Sequence, residues 1–440
     1  MLPQRKMGFW SLTSLVAGSQ IGSGIFLLPA SLAIYGTAGL TSWFITAIGA
    51  MLLALVFARL SAKIPKTGGP HTFIESAFGR KAGFFSAWTY WVISWMSTPM
   101  VIISIVSYLT PLFGNFEPMT SLFIEIAILL SVTLLNLKGC TTAGRAEFIF
   151  TTLKLFPLLI VPLGGIFFIN MDHFTPFNPT ENSIFSTINA AALLTLWGFI
   201  GVESATTPAE SVLNAKKTIP RALIIGTLIV SIVYILSSFV IMGIIPPALL
   251  SQSKAPFADA AAIIFGGSWH LFISVAASVV CLGTLNAWVL TSGQIALGAA
   301  EDGHLPSFFK RKNKNGAPYY GLLISSLGII PILIFTLNEN LISQINMIID
   351  ISVTAFLFVY ALSVLSYLKL FWRKEHSQRI NTLGIVIGVA SLIFCAWALW
   401  ASGIKMVGLA LLIPLSGLPL RLIMRKMSAS SLTLISQENA

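Results

Sequence analysis

Few residues of this chain can do chemistry, and most of those sit at the ends of long apolar runs. Glu203 does not. It lies near the middle of an apolar run, directly after Trp197-Gly198-Phe199-Ile200-Gly201-Val202. An ionised carboxylate at mid-membrane depth costs roughly 2.5–3.5 kcal/mol on insertion scales, so an ionisable group there is a functional candidate. Glu203 is expected to exchange protons, or else to bond two helices as a neutral acid. Lys154 is the one basic residue deep inside a run. Its ammonium needs carbonyls or a carboxylate; it either stands in for a bound sodium ion or snorkels about two turns to the nearer membrane face. Trp197 and Trp288 offer aromatic faces for a cationic head, worth ~0.5–2 kcal/mol when desolvated; packing is the alternative use of either. Asp350 also lies within a run, for a substrate cation or an inter-helix hydrogen bond. Glu125, Glu147 and Asp259 lie close to run ends and read as solvated.

Two of the runs are interrupted by glycine at corresponding places. The first reads Gly18-Ser19-Gln20-Ile21-Gly22-Ser23-Gly24, and the second spans Gly198 to Gly201. A membrane helix satisfies its own backbone, and lipid offers no substitute partners, so unwinding in mid-span requires protein or a watery cavity alongside. Paired breaks are the best sequence pointer to a substrate site in a secondary transporter. At the first break the amides of Ser23, Gly24 and Ile25 begin a new half-helix, whose free donors and positive end suit a carboxylate. At both breaks the carbonyls that end the preceding half-helix suit an ammonium. Together they fit an α-amino-acid moiety. The competing reading is that Gly-Ser-Gly only allows close helix packing.

The elements that must position these groups are membrane helices. Apolar residues make up 56% of the 440-residue chain and charged residues 9%, with a mean hydropathy of +0.87. Twelve candidate spans are read at 8–33, 38–61, 82–111, 119–137, 146–170, 184–210, 221–245, 269–300, 318–337, 342–366, 380–400 and 403–424, each near the ~20 residues a bilayer core requires. The short loops leave no separate soluble domain, so residues 1–426 are expected to form one transporter domain, with 427–440 a polar, disordered cytoplasmic tail. The first run is too long for a signal peptide and reads as a retained helix. Residues 256–265 are expected to form a short outer helix, or else an extension of span 8.

The net charge of +11 is topological rather than a nucleic-acid footprint. Of the 26 Lys and Arg residues, 23 fall on the side that holds both termini and the even-numbered connections. Lys254 and Lys405 fall on the other, and Lys154 inside a span. The positive-inside rule therefore places both termini in the cytoplasm. Cys140, Cys281 and Cys395 are scattered, with neither disulfide nor zinc spacing, and no cofactor or metal is expected. The chain has no Asn-x-Ser/Thr sequon, which fits a bacterial inner membrane. Five spans separate equivalent positions of spans 1 and 6, so these run in opposite directions, as in an inverted repeat of about 8–170 and 184–366, with spans 11 and 12 (380–424) outside it.

Gly22-Ser23-Gly24-Ile25-Phe26-Leu27-Leu28-Pro29-Ala30 closely resembles the first helix of the basic amino acid/polyamine antiporters, a group of the amino acid–polyamine–organocation superfamily. Trp197 to Ala205 resembles the sixth helix of that group. Cys281-Leu282-Gly283-Thr284-Leu285 with Trp288, Gly293-Gln294 and Glu301-Asp302-Gly303 resembles the eighth. The resemblance implies an all-α membrane protein of twelve helices. Its LeuT-like fold would have five-plus-five inverted repeats, broken helices 1 and 6, and alternating access. It implies that Ser23 and Gly24 hold a substrate carboxylate and that Trp197 caps the substrate. It makes Ser23 with Trp288 a middle gate, and Tyr90, Glu203 and Tyr360 an inner gate with Glu203 proton-sensitive. Ser19, Ile21, Ile93, Ser94, Thr98, Gly198, Ile200 and Ser352 align around the substrate. Ser19 and Thr98 replace asparagines of the arginine/agmatine antiporters, Gly198 replaces a serine, and Ile93 fills a place held by a smaller residue. Lys154 resembles the fifth-helix lysine of sodium-independent transporters. The resemblance also allows a homodimer.

The sequence thus reads as a sodium-independent amino acid transporter in lipid. It would exchange a cationic amino acid such as arginine for its amine, agmatine, or for another amino acid. The rival is a neutral or broad-specificity permease, an exchanger or a proton symporter, which Ile93 and Thr98 favour. A membrane sensor would need an output domain, and the metalloprotease and Gly-x-Ser-x-Gly motifs of an intramembrane enzyme are missing.

Overall fold

The computed structural model describes residues 6–424 except 115, 175, 254, 338–340 and 373–381; for residues 23, 27, 111 and 341–349 it describes the backbone alone. The expected tail, 427–440, lies outside the described residues. Among the described residues the regular structure is helical, and one extended bridge pairs Met7 with Val212.

The first run forms α1 (Phe9–Gln20) and α2 (Ser23–Ala33), parted at Ile21-Gly22. α3 (Gly36–Lys63) stops before Pro65, and α4 (Pro70–Phe78) restarts with proline at its first position, where the missing N–H is harmless. α5 (Arg80–Met96) and α6 (Thr98–Ser107) are one span bent at Ser97, two residues before Pro99, whose ring cannot donate to the ladder. The single turn α7 (Thr110–Phe113) precedes α8 (Pro118–Leu137) and α9 (Cys140–Gly165).

The second half opens with α10 (Ile184–Trp197), followed by turns and two 3-10 pieces at Ser204–Thr206 and Ala209–Ser211. No second α-helical half therefore follows the 198–201 break, unlike the first break. α11 (Ala215–Ile244), the short α12 (Pro247–Leu250) and α13 (Pro256–Phe265) come next. α13 is a separate helix. Gly266 and Gly267, both at positive φ, turn the chain before α14 (Trp269–Glu301). α15 (Tyr319–Phe335), α16 (Leu341–Trp372), α17 (Thr382–Ala401), α18 (Gly403–Ala410) and α19 (Leu412–Ser416) complete the order.

Among the described residues nine helices are long and apolar enough to cross a membrane, against twelve expected spans. The shortfall has a local cause. Candidate spans 1 and 6 are divided, and the ninth is a 17-residue helix, about 25 Å at 1.5 Å per residue.

α14 is the buried axis: it packs on α9, α6, α15, α5 and α1. α8 and the final span instead expose Phe123, Leu130, Leu134, Leu418 and Leu422. So large an apolar surface marks a lipid boundary. Small residues let α14 approach its neighbours. A side chain on Gly298 would begin 2.5 Å from the backbone of Gly68.

Candidate functional site

Every carbonyl freed at the end of α1 has a side-chain donor from another helix. Lys154 Nζ donates to Gly18 O at 2.9 Å and to Ile21 O at 3.2 Å. Trp288 Nε1 donates to Ser19 O at 3.1 Å, and Tyr234 Oη to Gln20 O at 2.7 Å. Thr284 Oγ1 also donates to Ile21 O. Three helices, α9, α11 and α14, thus supply the hydrogen bonds that an unbroken helix would make for itself. In this conformation these carbonyls are engaged rather than open to an ammonium.

Lys154 is fully buried and faces the break rather than snorkelling. Glu147, expected to be solvated, is fully buried beside it, 3.7 Å from carboxylate to ammonium. Asn286 Nδ2 donates to its other oxygen at 2.7 Å, and Thr151 Oγ1 donates to the first at 3.2 Å. The reason is steric as well as electrostatic. A side chain on Gly18 would begin 1.8 Å from Glu147 Oε1, so the carboxylate occupies the room that Gly18 leaves. Glu125 is also buried, whereas Asp259 and Asp350 are exposed.

α2 begins at Ser23 with Gly22 extended before it and no side-chain cap. Its first amides have no partner within the helix. Trp197 lies over them: Cδ1 is 3.1 Å from where a side chain on Gly24 would start. The Ser23 side chain lies outside the described residues.

The second break depends on Gly201, whose φ of 102° is closed to ordinary residues. Ser19 ties it to the first break. Its Oγ donates to Gly201 O at 3.1 Å and is 2.9 Å from Ser204 Oγ. Trp288 spans the same gap, with Cζ2 3.2 Å from where a Gly201 side chain would begin. One turn on, Glu203 is fully buried between two tyrosines. Tyr90 Oη donates to Oε1 at 2.8 Å, Tyr360 Oη donates to Oε2, and the Gly201 amide donates to Tyr360 Oη at 3.1 Å. The glutamate therefore braces the turn that carries it.

A cavity lies between the two breaks. Of the expected site residues, Ser19, Gly24, Thr98, Trp197, Gly198, Ile200 and Trp288 line it; Gln20, Gly22, Ser97, Val101 and Thr284 line it without having been expected. Ile21, Ile93, Ser94, Ser352, Tyr90, Glu203, Tyr360 and Lys154 are buried and do not line it. The free volume is about 30 Å³, room for one or two waters. An amino acid enters only if Trp197, Trp288 or a whole half-helix moves. No Asp or Glu lines the cavity, and among the described residues no cluster of His, Cys, Asp and Glu is arranged to hold a metal.

Gly22 and Thr284 stand within motifs that the sequence displays. Glu147 had its own signal: Glu147, Thr151 and Lys154 recur at helical spacing on one face of α9. Tyr234 and Asn286 had none, because their partners come from distant segments.

Comparison with known proteins agrees with this architecture. The chain is 30% identical to a putative arginine/ornithine antiporter of Bacillus subtilis, covering 90% of this chain and 91% of the relative. It is 32% identical to a putrescine transporter of Haemophilus influenzae (90% and 92% covered). It is 34% identical to a cadaverine/lysine antiporter of Escherichia coli (77% of each chain). The amino acid permease family model matches residues 7–418, and the chain belongs to that family of membrane transport proteins, which are not enzymes.

Proposed function

We propose that this protein is a sodium-independent antiporter that exchanges a cationic amino acid for its amine or for another amino acid by alternating access. The observation that carries the proposal is the meeting of both chain breaks at one small buried cavity, covered by Trp197 and backed by the Tyr90–Glu203–Tyr360 cluster. The relatives support the cationic class, since their names specify arginine, ornithine, putrescine, cadaverine and lysine.

In this reading the α2 amides at Ser23, Gly24 and Ile25 receive the substrate carboxylate once Trp197 swings away. The Lys154 ammonium, held against Gly18 and Ile21, fills the place of a coupling cation. Ser19 and Trp288 hold the breaks together until substrate replaces their contacts. Glu203 releases or takes a proton as the inner gate opens. The shortened helices count as spans in this scheme. It then has twelve spans in two inverted repeats, 8–170 and 184–366, with 380–424 outside them, and both termini in the cytoplasm of a bacterial inner membrane.

The test is uptake of radiolabelled arginine into sodium-free proteoliposomes preloaded with arginine, agmatine, alanine or nothing. Uptake with arginine or agmatine inside, and none into empty vesicles, supports cationic exchange. Arginine uptake with no preload, or none under any preload, overturns it. The second reading, a neutral amino acid permease, is favoured by the lack of any carboxylate in the cavity wall; alanine uptake without arginine uptake is its signature.

A further inference from the structure

A second cavity, of about 340 Å³, opens at the basic end of the bundle, where α5 starts and the last span ends. It is lined by Arg80, Lys81, Phe84, Gly303, His304 and Arg421. Among the described residues no carboxylate forms an ion pair with Arg80, Lys81 or Arg421, whereas His304 is paired with Glu75 at 2.9 Å. Burial lowers the His304 pKa against the opposing pull of Glu75. The standing positive charge of the cleft is therefore that of the other three.

The two arginines are aimed by packing. Arg421 lies over the rings of Phe84 and Phe85, at 5.5 and 5.1 Å. Its span is fixed to α5 by Trp88 Nε1 donating to Ser416 Oγ at 2.9 Å and by the close approach of Gly417 to the Trp88 ring. Arg80 rests on Gly303, whose φ of 73° and bare backbone admit the guanidinium; a side chain there would begin 2.8 Å from an Arg80 nitrogen. α5 adds the positive end of a 17-residue helix with no side-chain cap. The last span, which carries Arg421, exposes Leu418, Leu422 and Ile423, as expected of a surface against acyl chains.

We propose that this cleft binds the phosphate headgroup of an anionic phospholipid in the leaflet at the basic end of the bundle. Among the described residues the three basic side chains have no carboxylate partner, the volume suits a headgroup, and the neighbouring exposed apolar residues separate a lipid from a soluble anion. Basic pockets between membrane helices at that face take such headgroups. The bound lipid would join the start of α5 to the end of α14, because Gly303 and His304 follow α14 directly. The inference does not depend on which amino acid is carried.

The test uses the full-length protein in detergent and native mass spectrometry with phosphatidylglycerol, phosphatidylcholine and inorganic phosphate. Phosphatidylglycerol is expected to bind well above phosphatidylcholine. Arg80→Gln and Arg421→Gln should each weaken it about fivefold, roughly the effect of one basic residue at a membrane surface. Lys310→Gln, which removes an equal charge outside the cleft, should leave it unchanged. Should the arginine variants misfold, Lys81→Gln, at an exposed position of the cleft wall, carries the same expectation. Equal binding of both lipids, unchanged affinity in the cleft variants, or an equal loss in Lys310→Gln overturns the proposal. Complete displacement by millimolar phosphate would make the cleft a soluble-anion site instead, and would overturn the lipid assignment.

Discussion

The two breaks solve the same problem in opposite ways. At the first, α1 and α2 are regular helices on either side of two residues, and every freed carbonyl is bonded by a side chain from elsewhere. At the second, the chain loses regular α-helix from Gly198 to Asn214, and is held by its own 3-10 turns, Gly201 and a single glutamate between two tyrosines. The first break is fixed from outside by three helices; the second is held by Ser19 of α1 and by Glu203 between two tyrosines. In the proposed function, protonation of Glu203 would act at the second break.

The comparison can be broken most severely at Lys154. Lys154→Ala takes the side-chain donor from Gly18 O, leaves Ile21 O to Thr284 alone, and leaves Glu147 buried without its counter-charge, an effect of about 3–5 kcal/mol. It should abolish exchange without creating sodium-stimulated uptake. The double variant Lys154→Ala/Glu147→Gln should regain part of the lost thermal stability. Failure to regain any would show that the two do not act as a pair.

Gly201→Ala comes next. It forces a side chain into a backbone conformation that disfavours one, at about 1–3 kcal/mol, and drives Cβ to 2.8 Å from Ser19 Oγ. Transport should fall at least tenfold with a lowered melting temperature; near-normal uptake would mean that the second break relaxes freely.

Trp197→Ala should raise the apparent KM for a cationic substrate by about 2- to 30-fold, the range of a desolvated aromatic–cation contact of ~0.5–2 kcal/mol. Trp197→Phe should retain most of the affinity, and equal losses would remove the contact.

The smallest effect on stability, within about 1 kcal/mol, is expected for Glu203→Gln, which keeps an acceptor between the tyrosines. Its signature is kinetic: the pH dependence of exchange should flatten. An unchanged pH profile would leave the difference between the breaks standing but strip the second of its switch.

The breaks themselves were legible, because glycines interrupt two apolar runs at corresponding places, which close packing alone does not require. The helix at 256–265 was read as either a separate helix or an extension of span 8, and the Gly266-Gly267 turn at positive φ makes it separate. The 3-10 course of the chain after Gly201 was not legible, for a physical reason. The sequence from Val202 to Ser211 is as polar and small as any half-helix, but Gly201 and the bonds of Thr206 and Thr207 to Glu203 O and Ser204 O turn the chain into 3-10 pieces. Depth was the other weak point. Glu147 lies near a span end by counting, yet is sealed under α1 and α14, and counting along one helix cannot register what covers it. The same blindness hid Tyr234 and Asn286.

Gly18 and Glu147 occupy a single space, 1.8 Å being far inside any contact distance. In evolutionary terms the two positions are one character. A chain that enlarges position 18 while keeping the glutamate must move that carboxylate away from Thr151 and Lys154, and one that shortens position 147 opens space beside Lys154 that a bulkier position 18 can enter. Paired replacement avoids both costs. A library randomised at both positions and selected for transport should return correlated pairs rather than independent substitutions.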